Sequence, residues 1–101
     1  MEKYLITGVR FSPAHPRISM VLWVRVDSDT MRMLDGPAVV KVGAVVEAIE
    51  KGCRVESVFP NGGVYLRGQS FEVTQYDDGE KGIAPIEPTM TGYSLMDLQD
   101  I

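Results

Sequence analysis

"VVEAIEKGCRVESVFPNGGVYLRGQSFEV", residues 45–73, is the stretch whose reading decides the fold. Val42, Val45, Val46 and Ile49 follow the i, i+3, i+4, i+7 spacing of one helical face, while Glu47, Glu50 and Lys51 point away from it. Gly52 then supplies a residue that adopts the left-handed conformation in which helices end. The pattern predicts one short helix over about 42–51, with its body at 43–51. No Ser, Thr or Asp caps its start and Gly43 lies in its first turn, so a helix this short must be held by packing against a sheet. After Gly52 the period changes from 3.6 to 2: Cys53, Val55, Ser57 and Phe59 alternate with Arg54, Glu56 and Val58. "PNGG" at 60–63 is the strongest hairpin signal in the chain, and "VYLRG" and "QSFEVTQY" read as returning strands with a bulge or turn at Gly68.

Working outward, "KYLITGVRF" is rich in β-branched and aromatic residues and is closed by the two prolines of "SPAHP", which predicts a strand over 3–11. "RISMVLWVRV" puts Ile18, Met20, Leu22, Val24 and Val26 on one face of a second strand and Ser19, Val21, Trp23, Arg25 and Asp27 on the other. The first face is wholly apolar. The second is half apolar, so the strand is either central and covered on both sides or presents that face to a partner. "DSDTMRMLDGP" reads as a connection, "AVVKVG" is ambiguous, "DDGEKG" is a turn, and "IAPIEP" is an edge strand limited by its prolines.

Strand, strand, helix, then several strands is an α+β order: a mostly antiparallel sheet of about five strands with one helix packed on one face. The expected organisation is a single domain over 1–86 and a C-terminal tail over 87–101, either docked or flexible. The net charge of −4 is unevenly placed: residues 77–101 hold six acids and one lysine, whereas residues 1–76 hold nine bases and eight acids. One cysteine excludes an internal disulfide, and no apolar run approaches a membrane span or a secretory leader. A cytoplasmic location is the expectation.

"YLITGVRF", the isolated Ile18, "VVEAIEKG", and the aromatic-x-x-Gly step in "YLRGQSFEV" before "YDDGEKG" resemble the small bacterial proteins catalogued as domain of unknown function 3892. The likeness covers about residues 4–82. It implies a similar fold and a bacterial or phage origin, and it implies no activity.

Residues that carry chemistry are sparse. His15, the single histidine, is a general base with Ser12 or Cys53 as nucleophile in a catalytic reading, but its proline-bounded loop reads first as an exposed turn. Cys53 shares the alternation of Val55 and Phe59 and reads as a small buried residue, not a reactive thiol. Asp27, Asp29 and Asp35 lack the glycine and glutamate spacing of a calcium loop, and the glycines do not precede a helix as phosphate loops require. No catalytic residue, metal site or cofactor is therefore expected, and the enzyme reading, of unknown reaction, ranks below binding.

Arg10, Arg17, Arg25, Arg32, Arg54 and Arg67, with Trp23 and Tyr65 as stacking platforms, give a nucleic-acid reading that the acidic balance opposes. The leading expectation is a non-catalytic protein-binding module that engages a protein partner or a second copy. Val21, Trp23 and Arg25 on the second face of the β-strand would form its contact surface, with Tyr93, Leu95 and Leu98 of the tail ordering on or near it.

Overall fold

The computed structural model describes residues 2–13, 17–30, 32–61, 64–86 and 99–101, with 59–61, 64–67, 69, 99 and 100 described by backbone alone. The elements run β1 (Glu2–Phe11), β2 (Ile18–Asp27), β3 (Ala38–Lys41), α1 (Val42–Glu50), β4 (Arg54–Asn61), β5 (Val64–Gln75), β6 (Lys81–Pro85) and β7 (Gln99–Asp100). The strands form one mixed sheet in the order β3-β2-β1-β4-β5-β6, with β7 attached to β1. The class is α+β, and six strands lie along the sheet where about five were expected.

The additional strand is β3, which hides in "AVVKVG" because it passes into the helix without a turn. Lys41 is still extended, with φ −71° and ψ 153°, and no side chain caps the helix that starts at Val42. The other end is closed as the sequence implied. Gly52 takes φ +94°. Its amide donates to the Ile49 carbonyl at 2.9 Å and the Cys53 amide donates to the Ala48 carbonyl at 3.0 Å. That pair of bonds is a Schellman closure, which satisfies two carbonyls the helix would leave open.

β1 pairs antiparallel with β2 and parallel with β4, and β2 pairs antiparallel with β3. β3 and β4 therefore point the same way, and α1 is the crossover that carries the chain across two intervening strands. Beyond β4 the sheet is antiparallel again, through β5 to β6. β5 is one twelve-residue strand. The two strands expected there are continuous through a bulge, since Glu56 faces Ser70 but Val58 faces Arg67, leaving Gly68 and Gln69 opposite Ser57.

Two further bulges correct the reading of the faces. The β1–β2 register skips Thr7 on β1 and Ser19 on β2. Each skip reverses the inside–outside alternation, which puts Ile6 with Val9 and Ile18 with Val21 on one face. That face is the one α1 covers. Ile6, Val9, Ile18, Val21, Val45, Val46, Val55, Phe71 and Ile83 form a single buried cluster there, with Tyr4, Trp23, Val40 and Ile49 packed against it. Burying each such aliphatic side chain contributes about 1.5–3 kcal/mol, which is what holds an uncapped helix in place.

Ile18 at the start of β2 and Ile83 of β6 share that cluster although their strands lie far apart in the sheet order, so the sheet curls around α1. A polar latch closes the curl. Arg17 donates from Nη1 to Asp78 and to Glu80, each at 2.9 Å, and its guanidinium lies 3.8 Å from the centre of the Tyr76 ring. Gly82 lies against that ring, and a Cβ there would come within 2.8 Å of it, so a larger residue would displace the Tyr76 side chain. The Arg17 bond holds the Asp78 carboxyl below its usual range, helped by the Glu80 amide, and Asp78 in turn raises Arg17. Lys81 reaches Glu50 at 3.0 Å and ties β6 to the helix.

Candidate protein-interaction surface

β2 carries three of the residues that sequence reasoning proposed, and the structure separates them by depth. Val21 has no accessible surface. It lies in the core under α1 with Ile6 and Val45, not on the presented face expected for it; the half-apolar second face of β2 is the one the helix covers. Trp23 is half-buried at the margin of the same cluster, and its ring stacks on Tyr4 with centroids 4.0 Å apart and planes inclined by 20°. Tyr4 stands opposite Arg25 and Ile6 opposite Trp23, so the stack is a diagonal cross-strand pair.

Arg25 sits at the rim, where its guanidinium donates to Glu2 at 3.2 Å and pairs with Asp35 at 2.8 Å. Its Nε is buried without an acceptor among the described residues. The backbone beneath is fixed as well, since the Arg25 carbonyl accepts from the Leu34 amide at 2.8 Å. Tyr93, Leu95 and Leu98, and also His15, lie outside the described residues. Cys53 is half-buried, a shallower place than its alternation with Val55 implied.

The wholly apolar face of β2 is the one turned away from the helix. Val24 and Val26 there join Leu5 and Val58 in a second, smaller buried cluster, while Met20 and Leu22 are half-buried. Exposure rises toward the β3 edge. Val39 stands opposite Leu22 and is 53% exposed, and Met33, bridged to Val26, is 61% exposed. Leu34 is exposed beside them. Three large apolar side chains thus stand in solvent along one end of the sheet, next to a strand whose outer edge no described element pairs.

The surround of this patch is mixed in charge, with Asp27, Asp29 and Asp35 standing among Arg25, Arg32 and Lys41. Asp27 ends β2, Asp29, Arg32 and Asp35 follow in the β2–β3 connection, and Arg25 is engaged by Glu2 and Asp35. Asp27 accepts from the Thr30 amide at 3.1 Å and the Asp29 amide at 2.9 Å. These bonds, the Thr30 one foremost, hold its carboxyl below the usual range and keep it charged.

Family models, curated proteins and solved structures give no match to this chain. The site is therefore read from its own residues. Arg17 and Arg25, two of the six arginines considered for a nucleic-acid surface, are paired with carboxylates within the chain, and Arg54 lies 3.7 Å from Glu56, a carboxylate it shares with Lys3. Among the described residues no three His, Cys, Asp or Glu side chains gather as a metal-ligand set. No described helix is long and apolar enough to cross a membrane.

Sequence reasoning missed one feature of this face. Lys3 Nζ lies 3.2 Å from Glu56 Oε1, and both side chains are less than a tenth exposed. Lys3 and Glu56 are diagonal neighbours across the parallel β1–β4 pair. Alternation marks both as facing away from the helix, but only the β1–β4 register brings them together.

Proposed function

We propose that this domain is a non-catalytic protein-binding module, and that its contact surface is the open β2–β3 end of the sheet. The observation that carries the reading is the grouping of Met33, Leu34 and Val39, all exposed, at one unpaired sheet edge. Scattered apolar residues on a surface are ordinary, whereas a group of them rimmed by polar residues marks a contact site. Arg25, whose guanidinium pairs with Asp35 and whose carbonyl accepts from the Leu34 amide, adjoins this group and is a residue type that contributes strongly at interfaces, whereas the half-buried Tyr4–Trp23 stack lies on the opposite, helix-covered face. Asp27, Asp29 and Asp35 stand among Arg25, Arg32 and Lys41, so the apolar group favours a partner that presents apolar side chains with a polar surround of both signs.

A cytoplasmic setting belongs to the same proposal and is supported by a single, unpaired cysteine. The likeness to the domain-of-unknown-function proteins names no activity and leaves this reading unchanged.

The test compares partners retained from a cell lysate by the unaltered chain and by a chain carrying Met33→Ser and Val39→Ser. Both side chains are solvent-exposed, so folding stability should move by less than about 0.5 kcal/mol. A protein held by the first and lost by the second, with apolar residues at its contact site, supports the proposal. Equal retention of every captured protein sinks it.

A further inference from the structure

β1 has two hydrogen-bonding edges, and one of them changes partner part-way along. On one side β2 runs the whole length of β1, reaching Gly8 through Leu22 and Val9 through Val21. On the other side β4 pairs with Lys3 to Ile6 only, and its register with β1 ends at Ser57. At Thr7, the bulged residue, β4 is gone. From Gly8 onward the same edge is taken by β7, with Gly8 opposite Gln99 and Val9 opposite Asp100, in parallel. The Ile101 amide donates to the Val9 carbonyl at 3.2 Å, and Arg10 Nε donates to the Ile101 carbonyl. The seam that β4 leaves is therefore filled by the end of the chain.

A two-residue strand adds little stability of its own. What it does is satisfy buried backbone groups, for Gly8 and Val9 are buried and an unpaired amide or carbonyl there is unfavourable. The seam has the properties of a strand-acceptor site: main-chain groups in register that β4 does not pair, a bulge at Thr7 where the earlier pairing stops, and a guanidinium that reads the carbonyl of the incoming segment. It also matches its occupant in charge, with Arg10 on the acceptor and Asp97 and Asp100 in the final residues of the chain.

We propose that this seam of β1 is a peptide-acceptor site, filled in cis by residues 99–101, and that its occupant in trans is the same segment of a second copy. The second copy follows from complementarity already present: the sequence that fits the seam is carried by every molecule, and reciprocal exchange of an end segment gives a closed, two-fold pair. Residues 87–98 join β6 to β7 and can extend over roughly 40 Å, close to the 39 Å longest dimension of the molecule, so the segment has the reach to seat on a neighbour. This inference rests on the β1 seam and is independent of the β2–β3 surface.

The test uses the full chain carrying Ile101→Pro, which removes the one donor of residue 101 and leaves Asp100 in the extended conformation that precedes proline. Amide exchange at Val9 should accelerate while that of Ile6 and Val21 stays slow, which establishes a free seam in an intact fold. A labelled peptide with the sequence of residues 95–101 should then bind this variant saturably. It should bind the unaltered chain about tenfold more weakly, because a tethered competitor acts at an effective concentration on the order of millimolar. A peptide with proline in place of its final isoleucine should fail on both. Mixing the variant with unaltered chain at high concentration should give a mixed dimer in sedimentation velocity.

Unchanged exchange at Val9, no saturable binding at millimolar peptide, or equal binding to both chains would overturn the acceptor site. A seam that binds the peptide but yields no mixed dimer would overturn the second copy as its occupant.

Discussion

The two faces of the sheet bury aliphatic side chains in different company. On the helix side, Ile6, Val21 and Val55 meet Val45 and Val46, and the cluster extends from β1 to β6. On the other side, Leu5, Val24, Val26 and Val58 form a smaller group that shares its face with the Lys3–Glu56 ion pair and grades into exposed Met33 and Val39. Both faces derive from the same alternating strands. One became a core because α1 crosses it. The other retains charge and exposure, properties that suit contact with something else. A dry aliphatic cluster holds a fold through area, whereas a buried ion pair contributes little net stability but is strongly destabilising when half of it is removed.

That contrast can be broken or sharpened in order of expected effect. Glu56→Ala leaves the Lys3 ammonium buried without its carboxylate and should lower the unfolding free energy by about 3–5 kcal/mol in denaturant titration. Replacing both, Lys3→Met with Glu56→Leu, should restore stability to within about 1 kcal/mol of the original or exceed it. A double variant as unstable as the single one would show that the ion pair is not what the single substitution removed. Val21→Ala on the helix face should destabilise by about 2–3 kcal/mol through lost burial and a cavity, with no rescue from any polar substitution nearby. Gly52→Ala should lower stability by about 1–2 kcal/mol, because a Cβ is strained at φ +94° although the surrounding space is open.

The smallest effect expected concerns pH. Asp78 and Asp27 both have folded carboxyls held below their ordinary values, so the stability they contribute is present above the unfolded pKa of about 4 and is lost as pH falls through the folded values. Arg17→Gln should flatten the part of the acid-unfolding profile due to Asp78 and leave that of Asp27. A profile unchanged by Arg17→Gln would mean that the latch between the β1–β2 loop and the β5–β6 turn carries no stability.

Much of the local structure was legible. The helix spacing of Val42, Val45, Val46 and Ile49, its stop at Gly52, the alternation of β4 and the turn before Lys81 are all short-range signals, and the structure follows each of them. The reading failed where two periods overlap without punctuation, as at Ala38–Lys41, where a strand becomes a helix within one residue. It failed also where one residue is skipped. Nothing in "LITGVR" or "RISMV" announces that Thr7 and Ser19 drop out of register, yet those bulges determine that Ile18 belongs with Val21.

Which face of β2 the helix would cover was not legible: α1 took the half-apolar face that carries Val21 and Trp23. An apolar β2 flanked by polar turns promised one buried and one presented face, and local spacing could not say which of the two the helix would take.

By itself, then, the sequence determined the periods, the turns, the helix α1 and its end, because propensity, alternation and glycine geometry act over a few residues. Tertiary structure alone decided that β1 and β4 run parallel, that Lys3 meets Glu56, that Arg17 closes the curl on Asp78, and that Gln99–Asp100 completes the edge β4 abandons. Each of these joins residues tens of positions apart, and such pairings are set by which cluster buries the most surface at the least loss of chain entropy. That quantity belongs to the whole chain and to no window within it.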